Sequence, residues 1–208
     1  MANVSRRGFV GLIATSALLC GFGGVAEATS DESVLLRPPG GQDTALFAAL
    51  CLRCDRCRSI CPAGIVDVAT LEDGVLATRT PILNYHRGYC DFCGKCQDVC
   101  PTGALGSFDT ASDKIGIAIV RSDRCLAYSD GCTVCVDTCP FDAISLNDTE
   151  RPIVDPDVCN GCGACEDACP ALVYQTFQGG TRRGIKVVSL AEFEASGSVT
   201  TLSEGGDD

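Results

Sequence analysis

Sixteen of the seventeen cysteines in this 208-residue chain fall into four groups of four, and every group ends in Cys-Pro. Three groups read C-x2-C-x2-C-x3-C-P: Cys51, Cys54, Cys57 and Cys61; Cys90, Cys93, Cys96 and Cys100; Cys159, Cys162, Cys165 and Cys169. The remaining group, Cys125, Cys132, Cys135 and Cys139, differs only in its first gap, which holds six residues in place of two. A C-x2-C-x2-C stretch is too short for a regular element between its cysteines. It curls into a loop whose three thiolates converge, with several backbone N–H groups turned the same way. Three more residues carry the fourth cysteine away from its own loop, and the proline after it fixes φ and lacks an N–H, which suits a sharp exit. The rest of the chain has to fold around four such loops.

Four kinds of cysteine chemistry compete for this pattern. Disulfide frameworks do not repeat one triplet-plus-one spacing four times. Structural zinc is built from two C-x2-C pairs some fifteen to twenty residues apart, which leaves the middle cysteine of each triplet without a role. A c-type haem needs C-x-x-C-H, and no C-x-x-C here is followed by histidine. Iron–sulfur chemistry remains, because this run is the one that ligates [4Fe–4S] clusters, its fourth cysteine serving the other cluster of a two-cluster unit. The sixteen cysteines are therefore the candidate ligands of four [4Fe–4S] clusters, and the expected business of the chain is electron transfer.

Composition agrees. The hydrophobic fraction of 46% includes the cysteines, there is no Trp, and Phe and Tyr total 12. A chain this poor in large apolar side chains buries too little surface to be stable alone, so metal binding should be coupled to folding. A net charge of −11 disfavours nucleic acid and suits steering toward a basic patch on a redox partner. No phosphate loop, Ser/His/Asp set or paired carboxylate stands out, so an electron carrier or an oxidoreductase subunit without a substrate site of its own is expected.

The N-terminus reads as an export signal over residues 1–28. Ser5-Arg6-Arg7-Gly8-Phe9-Val10 precedes an apolar, glycine-rich stretch to Val25 and a small-x-small site at Ala26-Glu27-Ala28. The paired arginines make it a twin-arginine signal, a route for proteins already folded around their cofactors. Periplasmic placement, or the outer face of the cytoplasmic membrane, follows. Cys20, the odd cysteine, lies inside the apolar segment and reads as filler. Beyond residue 28 no run of eighteen apolar residues occurs.

Residues 29–44 read as an extended leader. Asp43 or Thr44 caps a short helix through Leu46, Phe47 and Leu50 that delivers Cys51. The region 45–190 is a fourfold repeat (about 47–76, 81–110, 116–148 and 150–179), each with a ligand loop, a short helix and a hairpin. Hairpins are expected at 68–83, 107–120 and 146–154, and a strand at 185–189 after a turn over 179–186. Residues 191–208 read as a disordered acidic tail. The fold class is α+β: a ferredoxin-like polyferredoxin of two 2[4Fe–4S] units with short helices and β-hairpins. His86, four residues before Cys90, reads as a structural or surface histidine before a proton relay.

The stretch from Ile117 to Cys125 and from Pro152 to Cys165 closely resembles a bacterial 2[4Fe–4S] ferredoxin. With the twin-arginine leader, Leu36-Arg37-Pro38-Pro39-Gly40 and the four motifs, the chain resembles the NapG/MauM family of periplasmic polyferredoxins. That resemblance implies electrons accepted from a membrane-bound quinol-oxidising iron–sulfur protein and passed toward a periplasmic reductase or its carrier, of nitrate-reductase type. The other reading is an iron–sulfur electron-transfer subunit of a molybdopterin oxidoreductase complex, a class that usually travels on a partner's signal. Motif pairing has two solutions. Sequential pairing suits the short 139–159 gap; the nested pairing of related four-cluster subunits, first with fourth and second with third, is the one expected. The long first gap, with Tyr128 and Asp130, predicts a lower potential for the Cys125 cluster.

Overall fold

The computed structural model describes residues 35–171 and 183–197, and the backbone of 201–202. Residues 1–34, with the expected export signal, and residues 172–182 lie outside the described residues, as do 198–200 and 203–208. Among those described, no helix is long and apolar enough to cross a membrane.

Helix α1 (Thr44–Leu50) is capped by Asp43, whose carboxylate accepts the N–H of Leu46 at 2.9 Å, satisfying one of the free donors of the first turn. Phe47 is its buried residue, packed with Ala104 and Leu105 in a small core of its own. The N–H of Cys51 bonds back to the Phe47 carbonyl, so the helix hands directly to the first ligand loop. Helix α2 (Arg56–Ile60) follows, then strands β1 (Val66–Val68) and β2 (Pro81–Leu83), paired antiparallel with Val66 opposite Leu83. Helix α3 (Lys95–Asp98) carries the second motif.

The segment ahead of α1 belongs to this framework. Arg37 is only 3% exposed; it donates to Thr80 Oγ1 at 2.6 Å and to the Pro81 carbonyl at 3.1 Å, and lies over the Phe47 ring. Leu83 donates to the Leu36 carbonyl, and Gly106 to that of Gly40. The five residues that carried the family resemblance thus fasten α1, β2 and the exit of the second motif together.

Strand β3 (Ile117–Arg121) opens the second half, followed by a 3₁₀ turn (Leu126–Tyr128), α4 (Val134–Thr138), β4 (Ile144–Leu146), β5 (Pro152–Val154) and α5 (Ala164–Asp167). Then come β6 (Ile185–Val188), α6 (Leu190–Ala195) and β7 (Thr201–Leu202). Strands β4 and β5 form the hairpin expected at 146–154. The hairpin expected at 107–120 is absent: residues 106–116 form no strand, with a turn at 110–112, and β3 pairs instead with β6 (antiparallel) and β7 (parallel). The reason is visible in β3, where Ile117 to Val120 are all buried; an apolar strand covered on both faces takes a central place in a sheet. Hairpins therefore follow only the first and third motifs among the described residues. The tail expected to be disordered from residue 191 begins with α6, capped by Ser189, whose hydroxyl accepts the Glu192 N–H, and anchored by buried Phe193. One aromatic on the inner face was enough to dock it.

Candidate metal centres

The sixteen cysteines are all free thiols and gather four by four around four small pockets. The Cys51 site holds Cys51, Cys54, Cys57 and Cys100. The Cys90 site holds Cys61, Cys90, Cys93 and Cys96. The Cys159 site holds Cys139, Cys159, Cys162 and Cys165. The Cys125 site holds Cys125, Cys132, Cys135 and Cys169. Each triplet receives its fourth cysteine from another motif, and the exchange is sequential, first with second and third with fourth. The nested pairing is overturned: Cys61 sits with Cys90, not with Cys159. The hairpins explain this, since β1–β2 and β4–β5 fold each odd motif back upon the next one.

The loops share one backbone device. The residues just before and just after the second cysteine are left-handed: Arg53 and Asp55, Phe92 and Gly94, Gly161 and Gly163. Two successive turns of that hand draw the three thiols inward. In the Cys125 motif Gly131 keeps the first of these, but Thr133 has φ −119°, so the longer gap replaces the second turn. Its extra residues form the 3₁₀ turn, with the Tyr128 ring under the Arg151 guanidinium at 4.4 Å.

The donor set fits an iron–sulfur cube. Among the described residues no three His, Cys, Asp or Glu side chains are placed to hold a single ion; the sulfurs line a cavity, as four ligands to four different irons must. Burial pushes the thiols of Cys57, Cys90 and Cys135 up to about 12, and those of Cys96 and Cys162 to about 11, with neighbouring cysteines adding repulsion. Four thiolates coexist there only beside a strongly cationic centre. Amides point at the sulfurs as well: Ala143 N–H to Cys139 and Gly184 N–H to Cys169, both 3.3 Å. Burial alone would raise Cys100, but the N–H groups of Leu105, Thr102 and Ala104 and the Thr102 hydroxyl outweigh it and hold the thiol low.

Contacts link the four sites one to the next. Helices α2 and α3 pack together, bringing Cys57 of the Cys51 site near Cys96 of the Cys90 site. The Cys90 N–H then donates to the Cys162 carbonyl at 2.8 Å, joining ligand to ligand across the two halves of the chain. Helices α4 and α5 pack, setting Cys165 of the Cys159 site near Cys135 of the Cys125 site. Tyr85 secures the central crossing: it is buried, and its hydroxyl donates to the Gly161 carbonyl at 2.6 Å. A Cβ on Gly163 would fall 2.1 Å from its ring. No spacing rule singled out Tyr85; its neighbour His86 drew attention instead.

His86 is half-exposed, with Nε2 3.9 Å from Glu166 Oε1. Glu166, which no sequence motif marks, is buried and accepts the Val187 N–H at 2.7 Å; burial pushes its carboxyl up to about 7.

Thiols gathered in this way on short helices and hairpins define an iron–sulfur electron-transfer protein of ferredoxin type. The chain matches the 4Fe-4S dicluster domain family over residues 50–104, 89–143 and 124–173, overlapping windows that run unbroken through the four motifs, and it belongs to that family. It is similar to Ferredoxin-type protein NapG of Escherichia coli (strain K12) and to the protein of that name from Shigella flexneri. Each is 35% identical over 79 residues, 36% of this chain and 34% of the relative. The match thus spans about a third of the length of these curated relatives.

Proposed function

We propose that this chain is an exported relay that carries single electrons through four [4Fe–4S] clusters, arranged as two dicluster units. The order is Cys51 site, Cys90 site, Cys159 site, Cys125 site. The observation that carries this reading is the ligand-to-ligand contact Cys90 N–H···O=C Cys162, which closes the one gap between the halves. The sixteen cysteines would hold the clusters, each of which would supply a one-electron couple; the chain's own residues orient the thiols, exclude water from the Cys159 site and supply the amides that would favour the reduced form.

The likeness to NapG and the twin-arginine leader support placement in the periplasm. The electron source is then a membrane-bound quinol-oxidising iron–sulfur protein, and the destination a periplasmic reductase or its carrier, in a nitrate-reductase-type pathway. Iron and acid-labile sulfide analysis tests the cluster count: about sixteen of each per chain are expected from four cubanes. A reproducible value near eight would refute two of the sites. Growth with nitrate as sole acceptor, with and without the gene, tests the pathway; unchanged growth would reject it.

A further inference from the structure

Of the four ligand loops only the first is basic. Residues 52–58 carry Arg53, Arg56 and Arg58 against Asp55. By contrast, 91–99 carry Lys95 against Asp91 and Asp98, while 126–138 hold only Asp130 and Asp137, and 160–168 only Glu166 and Asp167. The asymmetry extends to the halves. Residues 35–114 have eight Lys and Arg against nine Asp and Glu, whereas 115–171 have three against ten. An acidic chain has shed its negative charge at one end of its series of sites.

The side chains there are arranged for contact. Asp55 is balanced by Arg79 at 3.4 Å, and Arg58 leans on Asp67 at 3.9 Å. Arg53 and Arg56 pair with no acidic side chain among the described residues. Arg53 donates to the Leu76 carbonyl at 2.5 Å, seating the 71–79 turn against the loop. Leu52 is 66% exposed, Val75 58% and Leu76 55%. Cys54 is exposed among them, whereas the Cys159, Cys162 and Cys165 thiols are buried; Cys93 shares the exposure, but its loop is acidic. Apolar side chains interleaved with arginine have the composition of an interface core. Arg53 and Asp55 also keep left-handed backbone where the Cys159 motif uses glycine, a conformation that a Cβ disfavours.

We propose that loop 51–58 and turn 71–79 form the docking surface for an acidic electron-transfer protein, which exchanges one electron with the Cys51-site cluster. The proposal rests on the relay reading above. In the encounter the reduced member loses one electron and the other gains it; no proton or group moves. Charge selects the partner: two uncompensated guanidinium groups beside the exposed ligand attract an acidic surface and repel a basic one. Redox encounters of this kind need less than about 1,200 Å² of buried surface, within reach of these residues.

The test uses the reduced, cluster-loaded chain and two soluble acceptors, an acidic plastocyanin and a basic cytochrome c, mixed by stopped flow. For R53E/R56E the second-order rate to plastocyanin should fall about tenfold or more. The parent rate should drop with added salt, and the rate to cytochrome c should not fall. R53Q/R56Q, with smaller steric and charge change, should lose about threefold and serves if the reversal impairs loading. Iron analysis of each variant separates the two readings: an iron-free parent sinks the relay, whereas a loaded variant with unchanged plastocyanin kinetics sinks the docking surface. Equal slowing with both acceptors would also overturn it. So would a salt-sensitive dimer lost in the variant, which assigns the patch to a second copy. Flotation of the parent but not the variant with phosphatidylglycerol vesicles would overturn it as well, by assigning the patch to a membrane.

Discussion

Tyr85→Phe removes one oxygen and keeps the ring, so it isolates the bond that fastens the two halves of the chain. Tyr85 Oη donates to the Gly161 carbonyl at 2.6 Å in a site where the side chain is 2% exposed. Without it the carbonyl keeps its desolvation but loses this donor, a cost of about 1–3 kcal/mol. That corresponds to about a 5- to 150-fold shift in a local opening equilibrium. The bond ends on Gly161, the residue before Cys162, so the opening should be local to the Cys159 loop. Native-state hydrogen exchange of the loaded protein reads it directly. Amides of 159–165 should exchange faster by that factor, while those of α1 keep the parent rate. Gly163→Ala should be worse, because its Cβ meets the Tyr85 ring and its φ of +85° is left-handed. Exchange in 159–165 within twofold of the parent for Tyr85→Phe, or a uniform increase over the whole chain, would refute Tyr85 as the tie between halves.

Ligand sharing makes Cys61→Ser and Cys93→Ser equivalent: both should abolish the same cluster signal in EPR titration, and Cys54→Ser a different one. Shortening 126–131 to two residues should raise the potential of the Cys125 cluster by restoring the second left-handed turn and its donors; no potential rising relative to the parent removes the idea. Arg37→Ala loses bonds to Thr80 and Pro81 and the stacking on Phe47. It should lower stability by about 2–3 kcal/mol, measured as a shifted guanidinium midpoint for cluster loss. Replacing Arg6 and Arg7 together by Lys should trap a loaded precursor in the cytoplasm, seen by fractionation; normal export would show another route. Removing iron should unfold most of the chain, with loss of its far-UV circular dichroism.

The cysteine spacing predicted the ligand grouping into triplets plus a donated fourth, and the geometry brings every one of the sixteen together in that way. Pairing escaped it, because spacing constrains a loop but says nothing of which neighbour lies within reach; that was decided by the 66–83 and 144–154 hairpins. Asp43 announced α1 through cap chemistry, a purely local signal. The partner of β3 was not local: Ile117 to Val120 announced a strand, but Ile185 to Val188, its mate, lies sixty-odd residues on. The helix at 190–195 was hidden by its acidic exterior, with Phe193 and the Ser189-x-x-Glu192 cap its clues. Tyr85 and Glu166 were illegible for the same reason as the strand pairing, since their importance comes from loops distant in sequence.

The antiparallel pairing of β3 with β6 also fixes an order of events. The first two motifs complete their shared groups by Cys100, but the wall of the Cys125 site includes Gly184 and Ile185, and the Cys169 sulfur takes its amide from Gly184. A chain emerging from the ribosome can thus close its nearly neutral half while its acidic half still waits for its last strand. The wall of the Cys125 site is therefore complete only once synthesis has passed residue 185, so a product truncated before it would be recognisable by one site left open on that side.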